Sequence, residues 1–172
     1  MASVYDLKPA FSRLLRPLVA YLASHGVTAN QVTVGAALLS LVTGLTVGCL
    51  APVRPGYFLL LPTVLLVRMG LNAIDGMLAR EHGQKSQLGA FLNELGDVLS
   101  DAGLYLPLAW LPWVTSELVV LFALVAALTE LAGVVSQSLG KSRRYDGPMG
   151  KSDRAFLVGA IGLALGLGVA PG

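Results

Sequence analysis

Apolar residues run in long blocks along this chain, and polar ones collect in short stretches between them. From about Val32 to Leu50 there is no charged residue. Further apolar blocks run from Tyr57 to about Ala79, Gly89 to about Leu111, Leu118 to about Leu139, and from near Ala155 to Gly172. Each approaches the roughly 20 residues that an α-helix needs to cross a bilayer. Pro52, Pro55 and Gly56 mark a turn after the first block, and Pro107 and Pro112 separate the third from the fourth. Leu7 to Ser24 reads differently. There Phe11, Leu14, Leu15, Leu18, Val19 and Leu22 recur at helical spacing, with Lys8, Arg13 and Arg16 at the edges. That pattern suits a helix lying in the membrane interface, and equally an amphipathic helix packed on the rest of the protein. The chain is therefore expected to be an all-α integral membrane protein. Its architecture is a bundle of five or more transmembrane helices with an N-terminal interfacial amphipathic helix over about residues 1–28. Nothing marks a boundary, so 1–172 reads as a single domain.

Composition agrees. Of 172 residues, 55% are hydrophobic and 13% charged, and the mean hydropathy is +0.71. A soluble domain would need more charge to cover its surface. The net charge of +2 is too small to suggest nucleic acid. No cleavable signal peptide is apparent, because basic residues interrupt the first apolar run. Cys49 is the single cysteine, which leaves no intramolecular disulfide or thiolate cluster among these residues and suits a small core position. The distribution of basic residues sets the topology. Lys8, Arg13 and Arg16 precede the first span, Arg80 and Lys85 follow the second, and Lys141, Arg143, Arg144, Lys151 and Arg154 lie between the fourth and fifth. The opposite loops offer Arg54 alone. These three groups are expected on one side, the cytoplasm.

Several charges fall inside the spans: Arg68 and Asp75 in the second, Glu94, Asp97 and Asp101 in the third, and Glu130 in the fourth. Each is costly in hydrocarbon and should face the bundle interior or a wet cavity. At about 100° per residue, Arg68, Asn72, Asp75 and Ala79 share one stripe of the second span. Asn93, Asp97 and Asp101 step along one face of the third, with Glu94 at its edge. Two such faces joined by a short loop can converge on one acidic site. Its oxygen ligands, drawn from Asn72, Asp75, Asn93, Glu94, Asp97 and Asp101, suit a hard cation such as Mg²⁺ or Mn²⁺. The same acids could instead pair with Arg68 and other basic residues and join the helices. His25 and His82 sit near the interface and read as solvated.

The run Asn72-Ala-Ile-Asp75-Gly76-Met-Leu-Ala79-Arg80, then eight residues, then Gly89-Ala-Phe-Leu-Asn93-Glu-Leu-Gly-Asp97 resembles the CDP-alcohol phosphotransferase signature. That pattern is D-x2-D-G-x2-A-R-x8-G-x3-D-x3-D, and Asp75, Gly76, Ala79, Arg80, Gly89 and Asp97 all match it at family spacing. Ser86 matches a Ser or Thr common in the family three residues before the glycine. The resemblance implies a reaction in phospholipid biosynthesis: a CDP-alcohol, expected to be CDP-diacylglycerol, and an acceptor alcohol give CMP and a new phosphodiester. It implies that the aspartates hold one or two divalent metals against the pyrophosphate and that Asp97 takes the acceptor's proton. Gly76, Ala79, Arg80, Ser86 and Gly89 would hold the CDP moiety. It also implies a homodimer, placed here in a bacterial inner membrane with the site facing the cytoplasm.

Two family aspartates are asparagine here, Asn72 and Asn93. An amide oxygen can ligate but carries no charge and cannot act as a base. Asp75, Glu94, Asp97 and Asp101 together would restore four carboxylates, giving a rearranged or single-metal site. The alternatives are an inactive relative serving as a membrane scaffold, or a small ion-coupled transporter. Gly150-Lys151 resembles a Gly-Lys element of family members with phosphorylated acceptors, so Lys151, Arg143 and Arg144 are candidates for an acceptor phosphate. A positive anchor against anionic headgroups serves equally for that loop. The family has six spans and this chain five up to Gly172. Either a sixth lies beyond, or the fold closes with one fewer.

Overall fold

The computed structural model describes residues 4–140 and 150–169, with side chains from residue 10 onward. Six α-helices fill them: α1 (Val4–Ser24), α2 (Ala29–Leu50), α3 (Leu60–Glu81), α4 (Gln87–Tyr105), α5 (Ser116–Ser138) and α6 (Lys151–Gly166). Short 3-10 helices, Pro55–Leu59 and Leu106–Trp110, lead into α3 and out of α4. There is no strand among the described residues. By length and composition α2, α5 and the Pro55–Glu81 segment can each cross a membrane. The protein is an all-helical membrane protein.

Local chemistry fixes the helix ends. Thr28 caps α2: its hydroxyl accepts from the Gln31 amide at 3.2 Å, and the Gln31 side chain accepts from the Thr28 amide at 2.9 Å. This reciprocal box satisfies two otherwise orphaned donors. Ser86 caps α4 with a single bond, its hydroxyl accepting from the Gly89 amide at 2.9 Å. Past the end of α3, Gly83 takes a φ of 68°, a left-handed turn that other residues resist. The third span was expected to reach Leu111. It stops at Tyr105 because Pro107 lacks an amide hydrogen, and the chain tightens into a 3-10 turn.

The helices alternate in direction. Glycines along α2 meet α4 and the turn after it in parallel order, Gly44 against Gly103 and Gly48 against Pro107 and Trp110. A Cβ on Gly44 would collide with the Gly103 carbonyl oxygen, so two backbones touch there. Small residues permit such contact where lipid gives helices no hydrophobic reason to associate. In α6, Gly159 lies against Pro62 and Leu65, Gly162 against Leu61, and Gly166 against Leu59, so α6 runs antiparallel to α3. The starts of α2, α4 and α6 and the end of α3 thus gather at one end of the bundle. The core at the other end is Val47, Phe58, Leu61, Leu104, Tyr105 and Leu111.

Helix α1 reconciles its two expected uses. Val19 is buried, and Leu15 and Leu22 pack with Ile74, Met77 and Leu78 at the end of α3. Leu14 and Leu18 of the same helix are exposed, as an interfacial helix requires. Cys49 is exposed on α2 and is not the core residue expected.

Candidate active site

The signature residues lie where α3 ends and α4 begins. Their periodicity turns Asn72 and Asp75 of α3 toward Asn93 and Asp97 of α4. These four line one pocket of about 540 Å³ together with Gly76, Arg80, Gly150, Lys151, Ser152 and Asp153. Of the stripe read from the sequence, Asn72 and Asp75 line this cavity, Ala79 lines the groove beside it, and Arg68 is buried behind them. A larger groove of about 1260 Å³ adjoins it and shares Asp75, Gly76, Arg80 and Asn93. Ala79, Ser86, Gly89 and Glu94 line the groove's polar end, while Leu95, Val98, Leu131 and Val134 continue it as an apolar wall between α4 and α5.

Asp75 is buried, and the Thr33 hydroxyl of α2 donates to its Oδ2 at 2.8 Å. Asp97 is held through Oδ1. Asn72 donates to it from Nδ2 at 3.3 Å, Arg68 lies 3.4 Å away, and Lys151 forms an ion pair with it. Arg68 also donates to the Asp97 carbonyl at 3.1 Å, fixing main chain and side chain together. Gly76 and Gly89 make room. A Cβ on Gly76 would lie 3.0 Å from the Arg80 guanidinium, and one on Gly89 2.9 Å from the Asn30 amide oxygen.

Asp101 is elsewhere. Its Oδ1 accepts from Arg68 at 2.6 Å and its Oδ2 from Arg154 at 3.2 Å. Arg154 reaches on to Glu130 of α5 at 2.8 Å and to the Thr129 hydroxyl at 2.9 Å. Arg68, Asp101, Glu130 and Arg154 are all buried, and of the four Glu130 alone lines the groove or the pocket described above. This corrects the expectation of four converging carboxylates: Asp101 joins helices, and Glu94 faces the adjoining groove. Among the described residues no three acidic, histidine or cysteine side chains converge as metal ligands. What remains is two carboxylates, Asp75 and Asp97, and two amides, Asn72 and Asn93. That donor set fits one hard divalent cation, which commonly takes one or two carboxylates and completes its shell with water and substrate phosphate.

Sequence reasoning put Lys151 and Arg154 in a loop. They open α6, whose first turn is capped by Asp153 accepting from the Gly150 amide at 3.1 Å. Three residues apart, they share a face and meet Asp97 and Asp101 as successive rungs. Arg143 and Arg144 lie outside the described residues. Gln84 went unnoticed in the sequence. Its side chain accepts from the Ala29 amide at 2.7 Å and donates to the Val27 carbonyl at 3.3 Å, pinning the α3–α4 loop to the start of α2. A polar residue in a polar loop gives no signal of such a role.

Comparison with known proteins follows the same lines. The family model for CDP-alcohol phosphatidyltransferase matches residues 26–170. The chain is 50% identical to Inner membrane protein YnbA of Escherichia coli over 165 residues, 96% of this chain and 81% of that protein. It is 32% identical to archaetidylinositol phosphate synthase of Pyrococcus horikoshii over 103 residues, 60% of this chain and 52% of that one. An uncharacterized protein of Aquifex aeolicus is 33% identical over 102 residues, 56% of this chain and 46% of its own.

Proposed function

Because the chain belongs to the CDP-alcohol phosphatidyltransferase family, we propose that it transfers a phosphatidyl-type group from a CDP-alcohol to an acceptor alcohol, releasing CMP. The observation that supports this most is that Asp75, Gly76, Arg80 and Asp97, from both halves of the signature, line one pocket. In the reaction the acceptor oxygen bonds to the phosphorus that carries the donor alcohol, and the bond from that phosphorus to CMP breaks. The acceptor's proton passes to Asp97, our candidate base. Lys151, Arg68 and Asn72 all hold Asp97 through Oδ1, which leaves Oδ2 for the cation and the incoming hydroxyl. Neutral Asn93 could not take that role. Arg80, folded across Gly76, is placed to meet the nucleotide's phosphates. A divalent cation, Mg²⁺ or Mn²⁺, held by Asp75 and Asp97 with the Asn72 and Asn93 amides, would neutralise charge on the transferring phosphoryl oxygens and on CMP.

The apolar wall of the larger groove, Leu95, Val98, Leu131 and Val134, suits acyl chains. That favours a lipid donor, CDP-diacylglycerol. We read α4 and α6 as further spans, giving five, because α4 packs beside α2 and α6 beside α3. The homodimer, the inner membrane and a cytoplasm-facing site belong to the same proposal. Basic residues near the pocket end, Arg80, Lys85 and Lys151, favour that side. The test is to incubate the purified chain with radiolabelled CDP-diacylglycerol, Mn²⁺ and a panel of acceptor alcohols. CMP release with one acceptor is expected. Release with none, including free CDP-alcohols as donors, would favour a scaffold.

A further inference from the structure

The acid pocket contains a positive charge of its own. The family signature supplies four aspartates at the positions of Asn72, Asp75, Asn93 and Asp97. Here two are amides, so the pocket's inner carboxylates are Asp75 and Asp97. Asp153, at its rim, is engaged in capping α6. Two carboxylates offset one divalent cation and leave nothing for a second. Yet Asp97 already meets two cations, the buried Arg68 behind the pocket and, within the pocket, the Lys151 ammonium.

We infer that Lys151 takes the place of a second metal ion, so that this site works with one divalent cation and one ammonium. The inference rests on the transfer function proposed above. Three observations support it. Lys151 sits on the first turn of α6, not on a free loop, and Arg154 locks that helix one turn further on through Asp101 and Glu130. Asn72 donates its amide hydrogen to the same Oδ1 that Lys151 binds, so one asparagine supports the pairing that its lost charge makes room for. The Lys151 side chain is also 32% exposed. It can therefore turn from Asp97 to a phosphate oxygen on its flexible stem, as a point-charge ammonium does.

Metal counting tests this directly. The full chain, purified in detergent, is titrated with Mn²⁺ in the presence of CMP, and free Mn²⁺ is followed by its paramagnetic resonance. The wild type is expected to bind one Mn²⁺ per chain. Lys151→Met should bind it roughly tenfold tighter, because a like charge has left the pocket, yet release CMP at least tenfold more slowly. Asn72→Asp/Asn93→Asp/Lys151→Met should bind two. A merely structural lysine would weaken binding and turnover together. Two Mn²⁺ on an active wild type would overturn the inference alone. So would unchanged Mn²⁺ affinity in Lys151→Met with only the KM for a phosphorylated acceptor raised, which would make Lys151 a clamp on that phosphate. A wild type that neither bound Mn²⁺ nor released CMP would overturn the proposed function, and this inference with it.

Discussion

Arg68 of α3 donates to Asp101 of α4 at 2.6 Å, one helical turn beyond the carboxylate that serves as candidate base. The pair separates two groups of acids that look alike in the sequence. Asp97 lies on the pocket side of Arg68, whereas Asp101 lies on the buried side with Arg154 and Glu130. The guanidinium bridges both, so the bundle's ion-pair core also fixes the candidate base.

Asp101→Ala would leave Arg68 and Arg154 buried without that carboxylate, and breaking a buried pair from one side costs about 3–5 kcal/mol. We expect a marked fall in thermal midpoint in detergent and little change in Mn²⁺ affinity among the molecules that fold. A stable variant that had lost Mn²⁺ binding would instead make Asp101 a ligand.

Asp97→Asn keeps the size of the side chain but cannot accept a proton. CMP release should drop by about 10²-fold or more, while nucleotide still binds, because the base is removed and not the pocket. Retained turnover would assign the proton transfer elsewhere.

CMP and Mn²⁺ added together should raise the thermal midpoint, since a ligand at 100 times its dissociation constant contributes about 2.7 kcal/mol. EDTA should reverse the shift, and Asp75→Ala should not show it. Protection that survives both treatments would mean that the nucleotide binds without the acid pocket.

Gly44→Ala and Gly35→Ala make a matched test of packing. A Cβ at Gly44 meets the Gly103 carbonyl, whereas one at Gly35 meets nothing within 4 Å. The first should lower the thermal midpoint. The second should hold or raise it, because Ala in an open helix position is favoured over Gly by roughly 0.5–1 kcal/mol. Equal midpoints would show that α2 and α4 are not in backbone contact.

Single cysteines replacing Lys85 and Glu117, in a Cys49→Ser background, report the sides. An impermeant maleimide applied to intact cells should label position 117 and reach position 85 only after the membrane is opened. The reverse pattern would invert the topology, and with it the side that the pocket faces.

The sequence by itself determined the helical membrane architecture, because apolar blocks of roughly 20 residues match a spanning helix, which satisfies its own backbone hydrogen bonds in lipid, and are too long for a barrel strand. It also determined which family this is, since the glycines, Ala79, Arg80 and the two aspartates stand at fixed spacing. Helical periodicity further predicted that Asn72 and Asp75 would share a face opposite Asn93 and Asp97. Only the tertiary structure decided what each acid faces. Asp97 and Asp101 lie on one stripe of α4, and nothing in their spacing distinguishes them. What distinguishes them is a partner on another helix, since a buried carboxylate goes to whichever cation packing brings within reach. Arg68 comes from α3 and Arg154 from α6, 33 and 53 residues away in the chain. Lys151 is the clearest case. Read alone it belongs to a basic loop, but the capped start of α6 carries it into the pocket, beside an aspartate 54 positions earlier in the sequence.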